Sequence, residues 1–149
     1  MSGLGLEPYR GRQVFQWLWP KNARSFDDMT NLSKDLRRRL KERYQLINPE
    51  TDNIQASSDG TRKFLLRLED GVRIESVFIP EGKRRTVCVS TQAGCGLGCR
   101  FCATAKLGLI RDLAAHEIAG QVQAVALETG ASPTNVGLMG MGQPLLNLD

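Results

Sequence analysis

The sequence predicts an α/β fold in three parts: a small N-terminal helical domain (1–48), an antiparallel β meander or linker (49–84), and the opening β-α-β unit of a parallel β/α domain (85–149). Three observations carry this. Apolar residues recur at helical spacing up to about residue 46. Two Asp-Gly pairs then divide strand-like runs between residues 53 and 80. Finally, the β-rich runs TVCVS and TNVGLMG flank a segment that returns to helical period.

In the first part, Pro8 suits an opening helical position, and Val14, Phe15, Leu18 and Trp19 form an apolar stripe that Pro20 ends. Ser25 is placed to cap a short turn through Met29. Ser33 is placed to cap a second helix whose buried side is Leu32, Leu36, Leu40 and Tyr44. Trp17 and Trp19 at helical spacing read as core, with stacking on bases as the alternative. In the second part, Asp59-Gly60 and Asp70-Gly71 punctuate NIQASS, TRKFLLRL and VRIESVFIP into three antiparallel strands. In the third part, Ile118, Val122, Val125 and Ala126 set the buried stripe of a helix that Gly130 ends. Parallel strands with a right-handed crossover put the loops after TVCVS and TNVGLMG on the same rim.

Composition narrows the function classes. The chain has 149 residues, ordinary hydrophobic and charged fractions, no repeat, and no apolar run long enough to cross a membrane. Its N-terminus, MSGLGLEPYRGR, lacks the apolar core of a signal peptide. A cytoplasmic, reducing compartment follows as the expectation. Bunched cysteines there read as metal ligands rather than disulfides. The net charge of +4 is unevenly spread: Lys34, Arg37, Arg38, Arg39, Lys41 and Arg43 crowd one predicted helix. Such a run suits an anionic partner, RNA foremost, although a merely solvated helix face is the plain alternative.

Two local patterns point to chemistry. Glu75 shares a strand face with Val77 and Ile79, so it reads either as a partly buried carboxylate with a raised pKa, usable as a base, or as an exposed edge-strand Glu. More specific is STQAGCGLGCRFCATAKLG, where Cys95, Cys99 and Cys102 are spaced C-x3-C-x2-C among glycines. Zinc normally takes four closed ligands as two separated knuckles. Here Cys88 stands on a predicted strand, and His116 in mid-helix reads as a surface residue. A redox C-x-x-C needs neither Cys95 nor the glycines. An iron–sulfur cluster suits a compact thiolate loop better, and three local ligands leave one iron open. Zinc and incidental thiols stay open as alternatives.

The C-x3-C-x2-C loop after a first β-strand resembles the signature of radical S-adenosylmethionine (SAM) enzymes. More closely, YRGRQVFQWLW, FDDMTNLSKDLR, SSDGTRKFLLRLEDG, IESVFIP, CVSTQAGCGLGCRFCAT, EIAGQV and NVGLMGMGQPLLNLD resemble the RlmN family of adenine-methylating RNA methyltransferases, almost end to end. The Cfr-like branch, which methylates carbon 8 of the same adenine, is the near relation. The SSDGTRK and IESVFIP segments look like the RlmN branch.

The resemblance implies a radical SAM partial (β/α) barrel, present here as its first β-α-β. It implies a 4Fe-4S cluster on Cys95, Cys99 and Cys102, with SAM chelated at the open iron and held by Gly140, Met141, Gly142 and Gln143. Glu75 matches the family's proposed proton acceptor, and Cys88 the cysteine that helps resolve a protein–RNA adduct. The implied activity is methylation of carbon 2 of adenine in 23S rRNA and tRNA through a 5′-deoxyadenosyl radical, with the electron supplied by an external, flavodoxin-like reductant. The implied partners are that RNA and that reductant, with no membrane, and the helical module resembles an accessory RNA-binding domain.

Two departures stand out. The methyl-carrying cysteine and further β/α units are expected beyond Asp149. The chain is therefore read as a C-terminally truncated member, inactive alone in methyl transfer, with an unstable or partner-dependent barrel segment. The family's GMGEP loop is here GMGQP, so Gln143 replaces a charged acceptor and SAM binding is expected to weaken. Ala105 and Ala114 are lesser differences. Because Ala114 cannot cap the following helix, Asp112 is the expected cap. The rival reading is a non-catalytic RNA-binding remnant or a zinc-binding module.

Overall fold

A computed structural model of the chain describes residues 7–46 and 48–148. The opening hexapeptide and Asp149 lie outside the described residues. The chain divides into two compact units, Met1–Leu46 and Ile47–Asp149.

The first unit holds helix α1 (Pro8–Leu18), a short 3-10 turn (Phe26–Asp28) and helix α2 (Lys34–Arg43). The Ser25 hydroxyl accepts the Asp27 amide at 3.1 Å, while the Asp28 carboxylate accepts the Ser25 and Arg24 amides at 3.0 Å each, so the turn is closed from both ends. Ser33 caps α2 by accepting the Leu36 amide at 3.2 Å. Val14, Ala23, Phe26, Met29, Leu32, Leu36 and Leu40 form the core, with Trp17, Leu18 and Leu46 packed against it.

Three expected core positions differ. Phe15 lies one residue round the helix from Val14, faces solvent, and meets the half-exposed Trp19 ring one turn on, with centroids 6.1 Å apart. Tyr44 is exposed because α2 ends at Arg43 and Tyr44 takes extended dihedrals, which carries it off the helical stripe. Trp17 does support the core, and its indole N–H donates to Asn31 at 2.5 Å. The basic run is partly neutralised within the unit: Arg38 pairs with Asp35, and Lys41 with Asp27.

The second unit is built on a five-stranded sheet ordered β1 (Glu50–Ala56), β2 (Arg62–Arg67), β3 (Arg73–Glu81), β4 (Arg84–Cys88) and β7 (Asn135–Gly137). The first four strands are antiparallel neighbours, so the meander runs directly into the β-α-β unit within one sheet. At both Asp-Gly turns the aspartate accepts an amide two residues on, and Gly60 and Gly71 take φ of 86° and 82°, which favours glycine. Helix α3 (Ala115–Thr129) crosses over to β7, which pairs with β4 in parallel, Val87 opposite Val136. Gly130, at φ 65°, ends the helix as expected. Phe64, Leu66, Ile74, Phe78, Val87, Val89, Ala124 and Val125 fill the core between sheet and helix.

Three features depart from the sequence reading. Of the expected α3 stripe, Val125 and Ala126 are buried but Ile118 and Val122 only partly so, and Glu117, Gly120, Gln121 and Ala124 are buried in addition. Strand β7 is short and its Val136 is half exposed, because among the described residues only β4 pairs with it. Most important, the cysteine segment is the connection of a second sheet, in which β5 (Gln92–Gly94) pairs antiparallel with β6 (Leu109–Asp112). No helix among the described residues is long and apolar enough to cross a membrane.

Leu40 is 2 % exposed at the centre of the first unit's core. Leu40→Ala is expected to destabilise the protein by about 2–5 kcal/mol, read as a lowered urea midpoint in circular dichroism at unchanged slope.

Candidate functional site

The hairpin of β5 and β6 carries the cysteine loop as its connecting tip. Gly94 presses against the opposite strand: a side chain there would place its first carbon 1.9 Å from the Gly108 carbonyl oxygen, and φ is 80°. Only glycine fits this approach. The Cys95 amide donates to that same carbonyl at 2.9 Å, closing the neck of the loop. Beyond the neck the Cys102 amide donates to the Cys99 carbonyl at 3.1 Å, forming a turn that presents both thiols half-buried.

All four cysteines are free thiols. Amide donors from Ala105 and then Thr104 lower the pKa of Cys102, favouring its thiolate. Burial pushes the Cys88 thiol up, and a hydrogen bond from the Met139 amide offsets part of that shift. Among the described residues no three His, Cys, Asp or Glu side chains are gathered closely enough to hold a metal ion, so the loop collects Cys95, Cys99 and Cys102 in sequence without closing them into a ligand set. His116 is exposed on α3, as expected.

The loop after β7 is stitched to the segment between β4 and β5. Gly140 donates its amide to the Val89 carbonyl at 3.0 Å, and the Met141 carbonyl accepts the Thr91 and Gln92 amides at 2.9 and 3.2 Å. The Gln143 amide donates to the Gln92 side chain at 2.9 Å, and Gln92 in turn donates to Asp112 at 2.7 Å. Asn147 clamps the far end by donating to the Thr91 and Leu113 carbonyls at 2.7 and 2.8 Å. The glycines permit this contact. A β-carbon on Gly140 would lie 2.7 Å from the Ser90 hydroxyl, and one on Gly142 would lie 2.6 Å from the Gln92 β-carbon. The loops leaving β4 and β7 are thus neighbours on one rim, and the first runs within a few residues into Cys95.

Glu75 stands on β3 between β2 and β4, away from any sheet edge, on the face opposite Ile74, Ser76 and Phe78. Val77 and Ile79 share that face, as read from the sequence. The carboxylate is half exposed and pairs with the Lys63 ammonium at 2.9 Å. Cys88 lies across from Val77 on the next strand, and its side chain is buried.

Sequence reasoning missed the polar groups beneath this rim. Ser76, Ser90 and Gln121 are 1 %, 0 % and 0 % exposed and bonded to one another. Only the requirement that buried polar groups find partners hints at them, and that requirement needs the fold to become specific. The Arg111 guanidinium was also missed. It grips both Glu117 carboxylate oxygens at 2.8 Å and reaches Asp70, pinning β6 to α3 and to the β2–β3 turn. Glu117 accepts the Ala114 amide at 2.8 Å, so Glu117 rather than Asp112 caps α3; Asp112 is engaged by Gln92 instead.

Comparison with known proteins follows the same lines. Residues 1–46 match the family model described as the ribosomal RNA large subunit methyltransferase N-terminal domain. The chain is 51 % identical over 148 residues to the dual-specificity RNA methyltransferase RlmN of Halorhodospira halophila, covering 98 % of this chain and 41 % of that protein. It is 52 % identical over 152 residues to the RlmN of Desulfosudis oleivorans, again covering 41 % of the relative. Over nearly its whole length the chain is similar to part of the RlmN-family proteins. A crystal structure of a radical SAM methyltransferase from Sphaerobacter thermophilus superimposes with a TM-score of 0.88 at 42 % identity, over 99 % of this chain and 44 % of that one. The chain therefore spans well under half the length of these RlmN relatives. The part it shares with them is the helical unit and the sheet that carries both rim loops.

Arg111 holds the Glu117 carboxyl below its ordinary value of 4.5. A depressed folded pKa means that this group's stabilisation is complete above the ordinary value and is lost as pH falls through the lowered one. Glu117→Gln is expected to melt lower than the parent at pH 7, with the gap closing toward pH 3 in a series of thermal melts.

Proposed function

We propose that this chain provides the cluster- and SAM-binding portion of a radical SAM RNA methyltransferase that acts on carbon 2 of adenine in 23S rRNA and tRNA. The observation that carries this reading is the rim itself. The Gly140–Gln143 loop is hydrogen-bonded along residues 89–92, which lead straight into the three-cysteine loop.

The donor set fits a 4Fe-4S cluster in its chemistry: three free thiols lie within eight residues, and two amide donors already favour the Cys102 thiolate. Cys95, Cys99 and Cys102 would hold the cluster. Gly140, Met141, Gly142 and Gln143 would hold SAM, the glycines allowing close backbone approach. With SAM bound, the cluster supplies the one-electron cleavage chemistry once a flavodoxin-like partner has reduced it.

The chain's own residues supply positioning and proton handling. Glu75 accepts a proton from the methylated adenine, its carboxylate oriented by Lys63. Cys88, kept as a thiol by burial, stands on the adjacent strand to take part in releasing the RNA adduct. The basic face of α2 binds the RNA backbone, since Arg38 stays largely exposed and Lys41 half exposed even when paired with carboxylates. A reducing, cytoplasmic setting belongs to the same reading, because the cluster needs its thiolates unoxidised.

Anaerobic reconstitution with iron and sulfide tests this. The expected product is a brown protein with about four irons per chain that converts SAM to methionine and 5′-deoxyadenosine on reduction. A colourless protein, or one holding only zinc, would favour a non-catalytic RNA-binding or zinc-binding module. In the reconstituted protein, Gln143→Glu is expected to tighten SAM binding roughly three- to tenfold by calorimetry, because a carboxylate accepts from the SAM ammonium more strongly than an amide does.

A further inference from the structure

We infer that Ser90 and Gln121 are positioning residues that lock the Gly140–Gln143 loop to the strand carrying Glu75, so that SAM and the proton acceptor keep a fixed spacing. The inference rests on reading that loop as the SAM-binding segment.

Backbone direction explains why these two side chains are needed. Between β4 and β5 the chain alternates its hydrogen-bonding edge. Val89 and Thr91 turn theirs toward the segment after β7, bonding Gly137, Gly140 and Met141. Ser90 turns the other way and meets helix α3. There the Gln121 side chain stands in for a strand: its Oε1 accepts the Ser90 amide at 2.8 Å, and its Nε2 donates to the Ser90 carbonyl at 2.8 Å. The same Oε1 accepts the Ser76 hydroxyl at 2.8 Å, tying in β3.

Held in this way, the Ser90 hydroxyl has one donor and one acceptor position in use. It donates to the Glu75 carbonyl at 2.6 Å and accepts the Met141 amide at 2.8 Å. One oxygen therefore joins the backbone of the proposed proton acceptor to the backbone of the proposed SAM loop. Ser90 and Gln121 are fully buried, so water cannot take over either role. Gly140 completes the fit, because any side chain there would strike this hydroxyl.

The test is Ser90→Ala in the full chain, with two readouts. In the metal-free protein, hydrogen exchange at the Met141 amide should speed up about tenfold or more, with the amides of α2 unchanged. In the reconstituted protein, SAM should bind about fivefold or more weakly at unchanged iron content. Ser90→Cys fills the same space with a weaker hydrogen-bonding group. It should show both changes in smaller measure, and it decides the matter if Ser90→Ala does not fold. Parent-like Met141 exchange, or a lowered melting temperature with parent-like SAM affinity, would overturn the positioning role while leaving the SAM-loop reading intact. A parent protein that takes up its cluster but binds no SAM would overturn both.

Discussion

The parallel pairing of β4 with β7 is short, only Thr86–Cys88 against Asn135–Gly137, yet the arrangement of the rim depends on it. Once those strands align, the segments leaving them must travel side by side, and their backbones continue to pair beyond the last strand residue. Val89, Thr91 and Gln92 bond the loop after β7 in succession. The neck of the cysteine loop begins immediately afterward at Gly94 and Cys95. A small amount of sheet thus aligns two loops that are about fifty residues apart in sequence. Such an alignment suits a site in which one loop holds a metal group and the other holds what the metal acts upon.

Short strands alone would hold this arrangement poorly, and the surrounding side chains show how it is braced. Arg111 ties the β5–β6 hairpin to α3 and to the β2–β3 turn through two carboxylates. Gln92 connects the same hairpin to the loop after β7 through Asp112 and the Gln143 amide. Asn147 holds the end of that loop against two carbonyls. These bonds lie at positions where the apolar core ends, where directional polar contacts define geometry more sharply than hydrophobic burial does. Glycines at 94, 140 and 142 serve the same end by letting backbones approach where a β-carbon would collide.

Much of this architecture is legible in the amino-acid sequence. The Asp-Gly pairs mark both meander turns, because an aspartate that bonds its own backbone followed by a residue tolerant of positive φ leaves the chain few other options. Ser25, Ser33 and Gly130 cap as their types suggest. The cysteine spacing marks out a single thiol-bearing loop, which the structure places between β5 and β6. Burial on α3 is less legible, since Gln121 occupies the middle of its inner face and a periodicity argument counts a glutamine as solvent-facing. Tyr44 and Phe15 escape the pattern for a related reason: a stripe of apolar types does not reveal where the helix ends or which of two adjacent apolar residues turns inward.

Local order in this protein was determined by the sequence itself: turn positions, the caps at Ser25, Ser33 and Gly130, the division into helical and β-rich parts, and the grouping of three thiols on one loop. These depend on the dihedral preferences and hydrogen bonds of residues a few positions apart, which are written in the chain directly. Only the tertiary structure decided that the thiol loop is the tip of a hairpin, that Glu75 lies mid-sheet beside Lys63, and that Ser90 joins Glu75 to Met141. Each of these depends on strand register between distant segments. A shift of one residue would turn every side chain to the opposite face, and no local pattern encodes that choice.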